Sequence, residues 1–370
     1  MKIQIQKDIL QKGIQTVSNI ITTKNVLPIL SNILIETSKN LIKLTTTDLD
    51  IAITVLLEGE IQEPGAITIP AKRFSDIIRE LPEGEVVISA KKNNNVHIKL
   101  ESCEFKLMGL PKEEFPNLPE FKDREVIAIE QLILKEMLQL TSFAVSHEET
   151  KYVLNGLLFE LKKHQHKESF ILRLVATDLR RLALIEKNLE NIKTNKEVKI
   201  IVPFKTIQEL QRNLKDSGAV SIVIGENQAY FEFENTIIIT RLIEGEFPDY
   251  NRVIPPPQEK KIKIDRQQLL LALRRASLLA TPDSLAVKLE LTKNKLIISK
   301  ITPDIGESRE ELSVEYNDKE LIIGFNPNYL IDVLRNLSGA FVEVELIGPE
   351  KPAIIRTEEY VYLVSPMRLA

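Results

Sequence analysis

The stretch TIPAKRFSDIIRELPEG, residues 68–84, decides the fold, because its pattern returns as IVPFKTIQELQRNLKDSG (201–218) and IGFNPNYLIDVLRNLSGA (323–340). In the first copy Phe74, Ile77, Ile78 and Leu81 follow the i, i+3, i+4, i+7 spacing that gathers apolar side chains on one helical face. Ile207, Leu210 and Leu214 repeat the spacing, as do Leu330, Val333, Leu334 and Leu337. Gly84, Gly218 and Gly339 stand where a helix stop is expected.

The neighbours of this strand and helix repeat in the same order, which separates a true repeat from coincidence. Each unit opens on an alternating strand and a helix: KIQIQKDILQKGIQTVSNI from 2, VIAIEQLILKEMLQLTSFAVS from 126, KIKIDRQQLLLALRRASLLAT from 261. A short apolar strand follows, then a strand with an acidic turn, as in LTTTDLDIA, LVATDLRRLA and KITPDIGES. The opening pattern comes next, and a hairpin closes the unit; units one and two end alike, in EEFPNLP and GEFPDYN. The sequence therefore predicts an α+β chain of three tandem similar domains, at 1–122, 123–254 and 255–370, each with two helices packed on β-sheet. Boundaries fall at the polar PEFKDRE (119–125) and at VIPPPQEKK (253–261), where three prolines in the latter forbid both a helix and a central strand.

At 370 residues the chain is too long for one ordinary core. Apolar content of 43% and charged content of 28% are those of a globular protein. The alternating start predicts no signal peptide, no apolar run reaches the roughly 18 residues of a membrane span, and one cysteine makes no internal disulfide, so a cytoplasmic location is expected.

Chemistry is scarce. No glycine-rich phosphate cradle is present, and no cofactor or metal is expected. His164 and His166 form an H-x-H pair in a charged turn and read as a solvated loop rather than a metal site, while His97 and His147 stand alone. Cys103 reads as a buried thiol without the partners of a nucleophile. Asp48 and Asp178 occupy equivalent turns, with Asp304 as a candidate third copy; they read as turn caps, and an enzyme using this carboxylate pair, or a scaffold assembled from repeats, is the alternative.

The net charge of −4 argues against a nucleic-acid binder, but its distribution does not. The six expected helices, at 7–24, 71–81, 130–146, 204–215, 265–280 and 327–338, hold fourteen Lys or Arg and eight acids, so they carry +6 and the remainder −10. A field of that form attracts a polyanion to the helices alone. Aromatics are nearly absent from them, so contact with a duplex backbone is expected in place of base stacking.

LPILSNILIE, KYVLNGLLFE, VATDLRRLALIE, EGEFPDYNRVIP and the terminal VSPMRL, in three units, make the chain resemble the bacterial DNA polymerase III beta subunits, the DNA sliding clamps, over residues 1–369. The resemblance implies the DNA clamp fold, a six-domain ring formed by a head-to-tail homodimer, and a non-catalytic processivity factor. Its implied partners are double-stranded DNA, the polymerase III catalytic subunit and other polymerases, the clamp loader, and repair proteins with short linear peptides. Twelve helices about 10 Å wide, side by side, enclose a circle of roughly 38 Å through their axes, whereas six enclose roughly 19 Å, too narrow for a duplex once helix width is subtracted.

Transferred position by position, the resemblance places a peptide groove at Leu154, Thr177, Leu179, Arg180, Arg181, Leu182, Pro248, Arg252 and Val253. Asn326, Tyr329, Leu363, Val364, Ser365, Pro366, Met367, Arg368 and Leu369 complete it. Leu179 and Arg180 replace the Gly-[His/Tyr] common in the family and are expected to narrow the groove floor and add charge; Ser365 replaces a common Met, and Ala370 extends the terminus. DNA contacts are implied at Lys24, Arg73, Lys151, Tyr152 and Lys205, with Glu148 an acidic departure beside them. A dimer contact is implied between Phe105 and Leu107 on one copy and Leu278 and Leu279 on the other.

Overall fold

A computed structural model describes all residues except 22–26, 39, 92, 120–124, 165–168, 191–193, 195 and 370. The first repeat runs β1 (Lys2–Gln6), α1 (Lys7–Ser18), β2 (Asn32–Ser38), β3 (Leu41–Thr47), β4 (Ile51–Glu58), β5 (Glu60–Glu63), β6 (Ala66–Pro70), α2 (Ala71–Glu80), β7 (Glu85–Ala90), β8 (Asn95–Leu100) and β9 (Cys103–Met108). The second runs β10 (Val126–Glu130), α3 (Gln131–Thr141), β11 (Gly156–Lys163), β12 (Phe170–Thr177), β13 (Arg181–Leu189), β14 (Val198–Pro203), α4 (Phe204–Asn213), β15 (Ala219–Ile224), β16 (Gln228–Phe233) and β17 (Thr236–Arg241). The third runs β18 (Ile262–Asp265), α5 (Arg266–Ser277), β19 (Val287–Thr292), β20 (Lys295–Thr302), β21 (Gly306–Ser313), β22 (Leu321–Phe325), α6 (Pro327–Asn336), β23 (Phe341–Leu346), β24 (Ala353–Arg356) and β25 (Tyr360–Val364).

The apolar stripes do what their spacing requires. Phe74 and Ile78 of α2, Ile207 and Leu210 of α4, and Leu330, Val333 and Leu334 of α6 are buried. On α1, Leu10, Ile14 and Val17 face β3 and β4, and Gly13 lets the helix approach so closely that a Cβ there would lie 2.6 Å from Leu57 Cδ1. The helices stop earlier than their glycines suggest. Leu81 and Leu337 turn extended, and the N–H groups of Leu81, Leu214 and Leu337 still bond the carbonyl four residues back. The glycines serve the neighbouring helix instead: Gly84 O accepts from Lys7 N and Gly218 O from Gln131 N, each at 2.9 Å, satisfying an amide that a helix start leaves unbonded. In the third repeat Ala340 O does this for Arg266 N at 3.0 Å. The first helix is also shorter than the expected 7–24, ending at Ser18, and the third passes into a 3-10 turn at Ser142–Ala144.

Among the described residues the strands form four antiparallel sheets, and two of them cross repeat boundaries. The order β10-β15-β16-β17-β4-β3-β2-β6 joins the start of repeat two to the middle of repeat one through the β17–β4 ladder, Thr236↔Val55 to Thr240↔Ile51. The order β14-β11-β12-β13-β25-β24-β23-β18 joins repeats two and three through β13–β25. By compactness the chain therefore divides into two units, Met1–Lys135 with Ile192–Asn195 and Lys205–Leu242, and Glu136–Asn191 with Lys196–Phe204 and Ile243–Ala370, cutting through repeat two. Two smaller sheets remain, β5-β1-β7-β8-β9 in the first unit and β21-β20-β19-β22 in the second. No helix among the described residues is long and apolar enough to cross a membrane.

Candidate functional site

The β12–β13 turn is built by its own side chains. Thr177 Oγ1 donates to Arg181 O at 2.7 Å and accepts from Leu179 N at 3.0 Å, while Asp178 Oδ1 accepts from the amides of Arg180 and Arg181, each at 2.9 Å. This closes the chain tightly enough to force Leu179 to φ +75°, a left-handed conformation that costs an L side chain energy. Thr47, Asp48 and Leu49 reproduce the turn, with Leu49 at φ +81°. Both carboxylates are thus engaged in their own turns, and Asp48 also binds Lys205. Asp304 is not a third copy, since it takes the left-handed position itself, at φ +62°.

Behind the turn, candidates from distant parts of the chain meet. Leu154, Leu182 and Leu363 share one buried apolar cluster with Leu158, Val175 and Phe247, and Ile354 and Tyr250 extend it. Tyr250 donates to Glu160 Oε2 at 2.9 Å and accepts from Arg173 at 2.7 Å; burial, against the pull of Arg173, pushes its hydroxyl pKa up to about 12. Val175, Phe247, Tyr250 and Ile354 were absent from the sequence candidates, although the strand alternation of FILRLVAT marks Val175 as apolar.

A second group surrounds Arg181, which is 8% exposed. Its guanidinium binds Asp178 at 3.1 Å and Asp332 at 2.6 Å and lies 4.4 Å from the Tyr329 ring centre. Burial opposes this charge, yet Tyr362, Asp332 and Asp178 hold the Arg181 pKa above the ordinary arginine value. Asn326 caps α6, accepting from Asn328 N at 3.0 Å, and Tyr362 OH donates to Tyr329 O at 2.8 Å. The tail is tied across both groups by Ser365 N to Arg180 O and Met367 N to Gly324 O, each 2.8 Å. Val364 is buried and Pro366 half-buried.

Other candidates stand apart. Leu179, 59% exposed, does not narrow a floor, because the left-handed turn holds it outward; Arg180 and Pro248 are exposed as well. Arg252 pairs with Asp249 at 2.9 Å and Val253 is 54% exposed. Arg368 and Leu369, with Met367, line a separate cavity of about 260 Å³ beside Ser284 and the buried Lys300.

Of the DNA candidates, Lys24 lies outside the described residues, as do His166 and Ala370. Arg73 is exposed on α2 and Tyr152 is 58% exposed. Lys151 pairs with Glu148 at 2.8 Å, which lowers the carboxyl pKa of Glu148, and Lys205 is held by Asp48. Leu278 is 81% exposed rather than core, Leu279 is half-buried, and Phe105 and Leu107 lie on the sheet-edge strand β9. Cys103 is half-buried, contrary to the expected buried thiol, because it opens that same edge strand.

Three repeats joined by common sheets, with a buried apolar cluster behind the turn and with Asp48 and Asp178 engaged in their own turns, define a clamp-fold accessory protein. Residues 1–119, 128–249 and 251–368 match the N-terminal, central and C-terminal domains of the DNA polymerase III beta subunit. Beta sliding clamps of Pseudomonas putida (over 375 aligned residues) and Bacillus subtilis (over 383) are each 34% identical, covering 100% of this chain and of theirs. The crystal structure of the DNA polymerase III subunit beta sliding clamp from Bartonella birtlesii, bound to griselimycin, superposes with a TM-score of 0.93 at 33% identity and 100% coverage of both chains. The chain belongs to the DNA polymerase III beta subunit family, the beta sliding clamps. It is a non-catalytic subunit that serves polymerase processivity in DNA replication.

Proposed function

We propose that two copies associate head to tail into a ring of six domains, bounded in each chain at 1–122, 123–254 and 255–370, that encircles duplex DNA in the cytoplasm. The observation that carries this reading is the pair of sheets left incomplete. Within one chain β17 and β25 pair with β4 and β13; among the described residues their counterparts β9 and β21 lie at open edges. An open edge is a template for a strand of another chain, and heterologous pairing that closes yields a ring.

The internal ladders supply a register. Phe105 faces Ile98 as Ile238 faces Phe231, and Ser308 faces Lys300 as Ile53 faces Thr46. Because Ile238 faces Ile53, Phe105 would face Ser308 of the second copy, Glu104 would face Arg309, and Lys106 would face Glu307. Opposite charges so placed favour this pairing. Leu107, Leu278 and Leu279 would then supply apolar surface to the contact.

Arg73, Lys151, Tyr152, Lys205 and Lys24 would meet DNA through its phosphates, weakly enough to slide. The groove formed around Leu154, Leu182, Leu363 and the tail would take short linear peptides of polymerases, the clamp loader and repair proteins, with Arg181, Tyr329 and Asn326 shaping its second half. Tethering by such a ring raises effective concentration, which is processivity in physical terms.

The test loads the protein with a clamp loader and ATP onto nicked circular DNA and then linearises it. Retention on circles and loss from linear ends is expected; indifference to the cut would overturn the ring. Deleting residues 365–370 should abolish binding of a polymerase-derived peptide by fluorescence anisotropy while leaving the dimer intact, and undiminished binding would misplace the groove.

A further inference from the structure

The repeat that produces the apolar cluster of the second unit also produces a cavity in the first. Asn32 faces Pro70 across β2–β6 as Gly156 faces Pro203 across β11–β14. Along the same ladders Leu34, Thr45 and Thr54 face one another in sequence as Leu158, Val175 and Leu184 do. On the adjoining strand Ile237 and Ile239 take the places of Val361 and Leu363. Phe115, in EEFPNLP, occupies the place of Phe247 and is 6% exposed. Of these residues of the first unit, Leu34, Thr45, Thr54, Phe115, Ile237 and Ile239 line a cavity of about 400 Å³.

The floor and rim differ from those of the second unit in a definite direction. Where that unit has Val175 and Leu184, this one has Thr45 and Thr54, whose hydroxyls bond each other at 3.1 Å. Thr54 is smaller than Leu184 and leaves room in the floor, Thr45 is close in size to Val175, and the two hydroxyls give the floor polar atoms. At the rim Lys112 reaches Glu36 at 2.5 Å and Lys43 lies 3.6 Å from the same carboxylate. Two ammonium groups on one carboxylate leave a positive surplus.

We propose that this cavity is a second docking groove, for an extended segment of a partner protein in which an apolar anchor side chain is flanked by acidic residues. The inference rests on the reading of the second-unit groove as a peptide site, since it carries that use to the equivalent positions. The anchor enters between Leu34, Phe115, Ile237 and Ile239, and the acidic flank meets Lys112 and Lys43. Charge selects the partner: the rim favours an acidic segment and disfavours a basic one.

The experiment is methyl NMR on the full chain labelled at isoleucine δ1, titrated with a capped tetrapeptide of leucine and phenylalanine flanked by aspartates, and with its lysine-flanked control. Ile237 and Ile239 report this cavity and Ile354 the second-unit groove. Saturable shifts at Ile237 and Ile239 with the acidic peptide are expected, with affinity about tenfold weaker for the basic control. Lys112→Glu, at an exposed position, should reverse that preference. Silent Ile237 and Ile239 would overturn the proposal: a moving Ile354 would leave the second-unit reading standing, and a silent Ile354 would bring that reading down as well. Shifts at Ile237 and Ile239 that keep the same preference in Lys112→Glu would also overturn it.

Discussion

Arg181 and Asp332 lie 151 residues apart in the chain and meet at 2.6 Å, joining the turn after β12 to the helix α6. The pair is a clasp between a strand of repeat two and a helix of repeat three, buried at Arg181 and half-buried at Asp332. Arg181→Ala removes one partner and leaves Asp178, largely buried, without its cation. A loss of about 3 kcal/mol in urea unfolding is expected, since breaking a buried pair strands a charge. A double-mutant cycle with Asp332→Asn should give a coupling above about 1 kcal/mol; additivity would show the clasp to be idle.

Leu179 offers the opposite sign. At φ +75° and 59% exposed it incurs left-handed strain without a compensating burial. Leu179→Gly should stabilise the protein by about 0.5–1 kcal/mol, read as a raised thermal midpoint, because glycine takes this conformation without strain. An unchanged or lowered midpoint would mean that the leucine packs against something in solution.

The register of the proposed dimer is testable by charge exchange. Lys106→Glu should weaken the dimer about tenfold in sedimentation equilibrium by setting like charges opposite one another. Adding Glu307→Lys in the same chain should restore most of the loss, and failure to do so would refute the pairing of Lys106 with Glu307.

Glu209, on α4, is 2% exposed, and burial raises its carboxyl pKa above the usual value despite its contacts with Arg212 and Asn19. A raised carboxyl pKa means that the folded state binds the proton more tightly than the unfolded chain does. Stability contributed by this group therefore falls as pH rises from the unfolded carboxylate value to the raised folded one. Glu209→Gln should flatten that slope and raise the midpoint at neutral pH; a lowered midpoint would show that the Arg212 contact outweighs burial.

Much of this was legible in the residues. Phe74 and Ile78 announced a buried helical face, and the Thr-Asp-Leu turns at 47–49 and 177–179 announced equivalent positions. What escaped was relational. Spacing in Lys7–Ser18 cannot show that Gly84 O receives the amide of Lys7, nor that β17 pairs with a strand of the previous repeat. Leu278, expected at a dimer contact, lies just beyond α5 and is 81% exposed in the single chain. The apolar cluster needed Val175, Phe247 and Ile354 from three separate elements, and only the ladder register aligns them.

The sheets that run across repeat boundaries set an asymmetry in how a ring of this protein would respond to dilution. Each seam within a chain, β4–β17 or β13–β25, is closed intramolecularly, so protein concentration does not enter its equilibrium. A seam made by β9 and β21 of different copies, as proposed, would instead obey mass action. In the proposed closed dimer two of six seams would therefore be weakened by dilution, and an opener would need to part only one of these to admit DNA.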